Sequence, residues 1–368
     1  MKKYLLGTTI LAAVGLAAGP VLAEETPIHL ELGGGYSEYF GFSDQENDTG
    51  IGNSVAYVSH EVHFKIRGEL ANGLMIGGAI ELEGESGGDN IDQAYVNISG
   101  GFGTLRLGGI NSGRYSMIIA APNAGVGTDS GSQSKYMTLT TNTNGTGYTT
   151  YIDISGDAQK VTYFTPRFNG FQLAAGWAPT GDANTAGNDP GLADNTADYT
   201  DAWDFGVSYK GDFEDVGISA MLGVGGADKP SGVSAAFDDF LVWNAGLSLS
   251  SGGFTVSGGF AKITEGKSFT TNTVSNEGRA FNVGVKYDTG PWSFSVSYFD
   301  GEEKNFIALA GDEENSQWAV GASYQLGPGL KTSLTFLHND NEIQATSLAD
   351  PVRGNDGEAV LLGLHVGF

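Results

Sequence analysis

The residues whose types could do chemistry are few and poorly placed for catalysis. The five histidines are His29, His60, His63, His338 and His365, and the absence of cysteine excludes thiolate nucleophiles and thiolate metal sites. Glu61 lies near His60 and His63, and Asp340 follows His338, yet none stands in a Gly-x-Ser-x-Gly or His-Glu-x-x-His setting. A calcium site is conceivable at Asp194, Asp198 and Asp201, which offer oxygen ligands. Such loop acids are usually only solvated, so the expectation is no catalytic residue, no metal and no cofactor. The charges that do form a pattern alternate with apolar residues. His63, Lys65 and Arg67 alternate with Val62, Phe64 and Ile66; Arg106 stands between Leu105 and Leu107; Glu81 and Glu83 alternate with Ile80 and Leu82. Along an extended chain that spacing sends the charges to one face. Rows of opposite charge across a narrow wet gap create a transverse field that orders water and favours polar solutes. This is the chemistry of filtering, not of bond-making.

Strands must carry these residues. Trp292, Phe294, Val296 and Tyr298 alternate with Ser293, Ser295 and Ser297, and Phe281, Val283, Val285 and Tyr287 alternate with Asn282, Gly284 and Lys286. Only Asp288-Thr289-Gly290 separates the two runs, a hairpin turn. Runs begin near Ile28, Val55, Leu74, Ile91, Thr104, Val161, Phe171, Ala202, Val216, Leu241, Phe254, Ala280, Trp292, Gln317, Leu330 and Glu358, about sixteen in all. A soluble all-β sandwich alternates too. Three features favour a transmembrane antiparallel β-barrel. The tryptophans sit at or near strand ends, short and long connections alternate, and the last run ends in Phe368. A barrel of that size encloses water because its side chains cannot fill it.

Residues 1–23 read as a secretory signal: Lys2 and Lys3, an apolar run, then Val21-Leu22-Ala23. Residues 24–368 are then a single barrel domain in an exported protein. The chain carries a net charge of −25, which argues against a nucleic-acid partner and fits an acidic entrance that concentrates cations. Glycine, 58 of 368 residues, excludes a large helical domain.

In residues 111–157 the alternation stops, and Gly, Ser, Thr and Asn dominate. This stretch supplies Arg114 and Lys135 as bases and Asp129, Asp153 and Asp157 as acids. It follows Asp92-Gln93-Ala94-Tyr95-Val96 and Gly101-Phe102-Gly103-Thr104-Leu105-Arg106-Leu107-Gly108. Together with Gly73-Leu74, Ile80-Glu81-Leu82-Glu83 and the final strand, these residues resemble the general porin family of Gram-negative outer membranes. The resemblance implies a third long loop folded into the barrel to narrow the pore. It also implies passive diffusion of small hydrophilic solutes and ions, packing as a homotrimer, and an outer-membrane setting of lipid and lipopolysaccharide. The expected constriction comprises Lys65, Arg67, Arg106, Arg114, Asp129, Asp153, Glu81 and Glu83, with a mild cation preference. Where the family often has Arg, this chain has Gly109; the positive wall is thinner there, or Arg106 or Arg114 supplies the charge. The rival readings are a solute-specific channel, which wants more lumen aromatics than Tyr95 and Phe299, an outer-membrane barrel enzyme, and an adhesin.

Overall fold

The computed structural model describes residues 26–46, 52–84, 90–129, 133–138, 146–180, 199–229, 239–265, 277–304, 312–343 and 353–368. The expected signal, residues 1–23, and Asp194 and Asp198 lie outside these residues. The chain forms β1 (Thr26–Gln45), β2 (Ser54–Glu69), β3 (Met75–Glu83), β4 (Ile91–Gly100), β5 (Gly103–Gly109), β6 (Gln159–Phe164), β7 (Phe171–Thr180) and β8 (Thr200–Phe213). There follow β9 (Val216–Asp228), β10 (Phe240–Ser251), β11 (Phe254–Glu265), β12 (Gly278–Thr289), β13 (Trp292–Lys304), β14 (Asp312–Gly327), β15 (Leu330–Ile343), β16 (Arg353–Gly354) and β17 (Gly357–Gly367).

Each strand from β1 to β15 pairs antiparallel with the next. β16 and β17 lie in turn along β15 as one stave interrupted at Asn355-Asp356. β17 then pairs with β1, from Gly35 opposite Gly367 to Gln45 opposite Gly357, so sixteen staves close into a barrel without an edge. Turns of two residues join β4 to β5, β8 to β9, β10 to β11, β12 to β13 and β14 to β15. Four of them use the left-handed backbone region, at Glu214, Gly252, Gly290 and Gly329, as tight hairpins demand.

The burial pattern is inside out. Leu30, Leu32, Phe40, Trp177, Trp203, Phe205, Trp243, Val283, Trp318, Phe336 and Leu362 are exposed on the outer face. Two clusters of buried apolar residues lie within the barrel, where the segment after β5 meets the wall. One gathers Ile152, Tyr199, Phe240 and Val242, the other Val126, Tyr136, Met137, Leu337 and Leu361. The wall is uneven in height. β3 to β6 run 6 to 10 residues, whereas β8 to β15 run 12 to 16.

Phe368 completes the seam. Gly34 donates its N–H to the Phe368 carbonyl at 3.0 Å, Phe368 donates to the Gly34 carbonyl at 3.2 Å, and the Phe368 ring stacks on Tyr36. Deleting Phe368 is expected to lower the folded fraction on refolding, read as heat-modifiable gel mobility. An undiminished yield would show that the seam closes without it.

Candidate functional site

Segment 110–158 leaves β5 and returns to β6 along the inside of the barrel. It contains only two short 3-10 turns among the described residues, Tyr115–Met117 and Gln133–Lys135. With little regular structure among its described residues, its polar backbone groups need other partners. They find them on inward-facing wall side chains. Ala121 N–H donates to Asn282 Oδ1 at 2.7 Å, Ala124 N–H to Ser295 Oγ at 2.8 Å, and Val126 N–H to Thr335 Oγ1 at 3.0 Å. Ser257 Oγ donates to the Ala120 carbonyl at 2.7 Å. On the returning limb Asn315 Nδ2 donates to the Gly147 carbonyl at 3.0 Å, and Asn244 Nδ2 to that of Thr150 at 2.9 Å. The segment is thus fastened along the wall from β8 to β15.

Two buried cations hold its ends. Lys160, the second residue of β6, donates to the carbonyls of Ile110 and Gly156, joining the departing and returning limbs. Arg114 donates its backbone N–H to Asp204 Oδ1 at 2.7 Å and its guanidinium to Asn244 Oδ1 and the Ile152 carbonyl. Its side chain is fully buried. The sequence places Arg114 at the pore; in the structure its guanidinium is enclosed between Asn244 on the wall and Ile152 on the returning limb, and its Nε–H has no acceptor. Glycines make the approach possible. A Cβ at Gly223 would lie 2.5 Å from Arg114 Cγ, and one at Gly259 would lie 2.3 Å from the Ile119 carbonyl oxygen.

The two expected loop acids are engaged in the same way. Asp129 accepts from Thr150 N–H at 2.9 Å, from the Thr150 hydroxyl and from Asn282 Nδ2. Burial pushes its carboxyl up, while hydrogen bonds from Thr150, Thr149 and Asn282 oppose the rise. Asp153 accepts from Ser112 N–H at 2.7 Å and from Ser155. Both carboxylates bind the loop to itself or to the wall.

The wall from β1 to β6 carries the other expected residues. Register places Lys65, Ala79 and Tyr95 in one row, and Arg67, Gly77, Asn97 and Arg106 in the next. Their outward neighbours are apolar, so these side chains face inward. Arg106 donates Nε–H to Asn97 Oδ1 at 3.0 Å and lies 5.3 Å from the Tyr95 ring and 5.0 Å from the Phe164 ring. Arg67 pairs with Glu31 at 3.2 Å and remains 66% exposed. Glu81 pairs across from His63, and Glu83 from Glu61, nearer the end where the loop begins.

The Gram-negative porin family matches residues 7–344 of the sequence. The chain belongs to that family. Over 200 residues it is 28% identical to the major outer membrane protein P.IB of Neisseria gonorrhoeae, covering 51% of each, so the match spans about half the length of that relative. Its fold is similar to an anion-selective porin from Comamonas acidovorans, with TM-score 0.60 and 16% identity over 93% of this chain and 100% of that one. The trimer form of in-vitro folded OmpT, an outer membrane protein of Vibrio cholerae, gives TM-score 0.60 and 13% identity over 93% and 99%.

Sequence reasoning missed Lys160, Asp204, Asn244 and Asn282 in this porin. A signal existed: asparagine is depleted in strands, yet Asn244, Asn282, Asn315, Asn339 and Asn341 all stand on strands and all are buried.

Proposed function

We propose that this porin is a water-filled channel of the outer membrane for passive diffusion of small hydrophilic solutes and ions. The observation that carries the reading is a closed barrel too wide for its side chains to fill, with segment 110–158 fastened along one inner wall. The segment narrows the bore and faces the wall that carries Lys65, Arg67, Arg106, Glu81 and Glu83. The family and fold support a channel rather than an enzyme. The acidic net charge favours a mild cation preference, set against the three inward bases. Residues 1–23 act as the export signal, removed near Ala23.

The channel assembles as a homotrimer through the side made by its low wall, β3 to β6, and the adjoining β1 and β2. His60 Nε2 lies 2.8 Å from Glu38 Oε1 on the outward face beside Tyr36. Charged side chains facing lipid are destabilising, so a second copy covers this pair.

Single-channel conductance in a planar bilayer under a salt gradient tests the reading. The expected result is stepwise current in threes with a modest cation preference. In Lys65→Gln/Arg106→Gln, removal of two inward positive charges is expected to shift the reversal potential further toward the cation limit. An unchanged potential would remove both residues from the constriction, and the absence of current from heat-modifiable protein would overturn the channel.

A further inference from the structure

Glu61, His63 and Glu81 stand together on β2 and β3, apart from the wall that anchors segment 110–158. Val62 and Leu82 are cross-strand partners on the outer face, so Glu61, His63 and Glu81 face inward. His63 Nε2 lies 2.7 Å from Glu61 Oε2 and 4.0 Å from Glu81 Oε2, and the three donor atoms all fall within 4.8 Å of one another. Donors on a tetrahedral ion at about 2.0–2.2 Å stand about 3.3 Å apart. Small side-chain adjustments therefore suffice to close the three around one ion.

The chemistry of the set selects the ion. One imidazole nitrogen with two carboxylate oxygens suits zinc-like divalent ions, whereas magnesium and calcium prefer oxygen alone. The charge balance also asks for a cation. Among the described residues, His63 is the ion-pair partner of both carboxylates, and no lysine or arginine lies within 4.0 Å of either. His63 and Glu81 are sheltered, at 19% and 15% side-chain exposure, while Glu61 at 38% opens toward the lumen.

We propose that Glu61, His63 and Glu81 form a lumen site for a divalent transition-metal cation of the zinc class, with water from the pore completing its coordination. The inference rests on the channel reading only in requiring a wet inner face. An ion held there neutralises two carboxylates beside the solute path and is expected to reduce the current carried by other cations.

Calorimetric titration of zinc chloride into untagged, folded protein in metal-free neutral detergent buffer tests the site. The expected result is one zinc per chain, not displaced by equimolar magnesium. His63→Ala and Glu81→Gln should each weaken binding at least roughly tenfold. No zinc binding by the wild type, or equal binding by both variants, would overturn the site. Should a variant fail to fold, acylation of histidines by diethylpyrocarbonate in the wild type gives the same decision by mass spectrometry. Zinc protection at His63 but not at the exposed His29 supports the site, and equal acylation at His63 with and without zinc overturns it. Current without zinc binding would leave the channel standing and remove the site; zinc binding without current would do the reverse.

Discussion

Arg114→Ala is expected to lower the temperature at which the folded form is lost in detergent and to raise the noise of the open-channel current. The guanidinium is fully buried and reaches both the wall, through Asn244, and the returning limb, through Ile152. Asp153 and Asp204 are its neighbouring carboxylates, and Asp204 is itself only 8% exposed. Removing one member of such a group leaves buried charge uncompensated, at a cost of about 3–5 kcal/mol. The barrel ladder is untouched, so the loss should appear first as release of the loop's opening turn. Arg114→Lys should rescue only in part, because one ammonium cannot reproduce a planar fork aimed at two acceptors. Heat-modifiable mobility and single-channel traces measure both effects. Wild-type values in each would show the clamp to be dispensable.

Gly259→Val should lower the current itself. Gly259 is held on both sides, by Gly246 of β10 and Asn282 of β12. Its N–H donates to Asn282 Oδ1 at 2.9 Å, the same oxygen that receives Ala121 N–H. A Cβ here meets the Ile119 carbonyl oxygen at 2.3 Å, and the strand has less room to retreat than the loop. Overpacking of this kind costs about 1–3 kcal/mol. The loop is expected to move off the wall into the gap, so the conductance falls. Gly101→Ala is the control, since nothing lies within 4 Å of a Cβ at that turn. A larger current in Gly259→Val, or an equal fall in the control, would contradict the account.

The barrel was more legible in the sequence than the site, for a physical reason. Lipid outside and water inside impose a period of two on each stave. The sixteen expected starting points therefore fall close to the observed staves, the largest displacements being β14, which begins at Asp312 rather than near Gln317, and the last stave, which begins at Arg353 rather than near Glu358. The same parity placed Lys65, Arg67, Arg106, Glu81 and Glu83 inward. Segment 110–158 has no such parity. Its polar residues can face the lumen, the wall or one another, and composition does not distinguish these fates. Arg114 and Asp129 read as pore charges because charge suggests water. In the folded chain, acceptors and donors on β8, β10 and β12 meet them instead. The legible clue lay on the other partner, in asparagines at strand positions where apolar or small residues are the norm.

The pairing of β17 with β1, sealed by Phe368 against Gly34, also orders events in time. The stave that closes the cylinder is the last of the described strands to be synthesised, and its partner is the first. Neighbouring hairpins can form as the chain emerges, but the seam cannot. Until β17 arrives, β1 offers an open hydrogen-bonding edge to any other strand nearby. The interval between export and closure is therefore when this chain is most exposed to aggregation, and a carrier that shields β1 during that interval would protect it most.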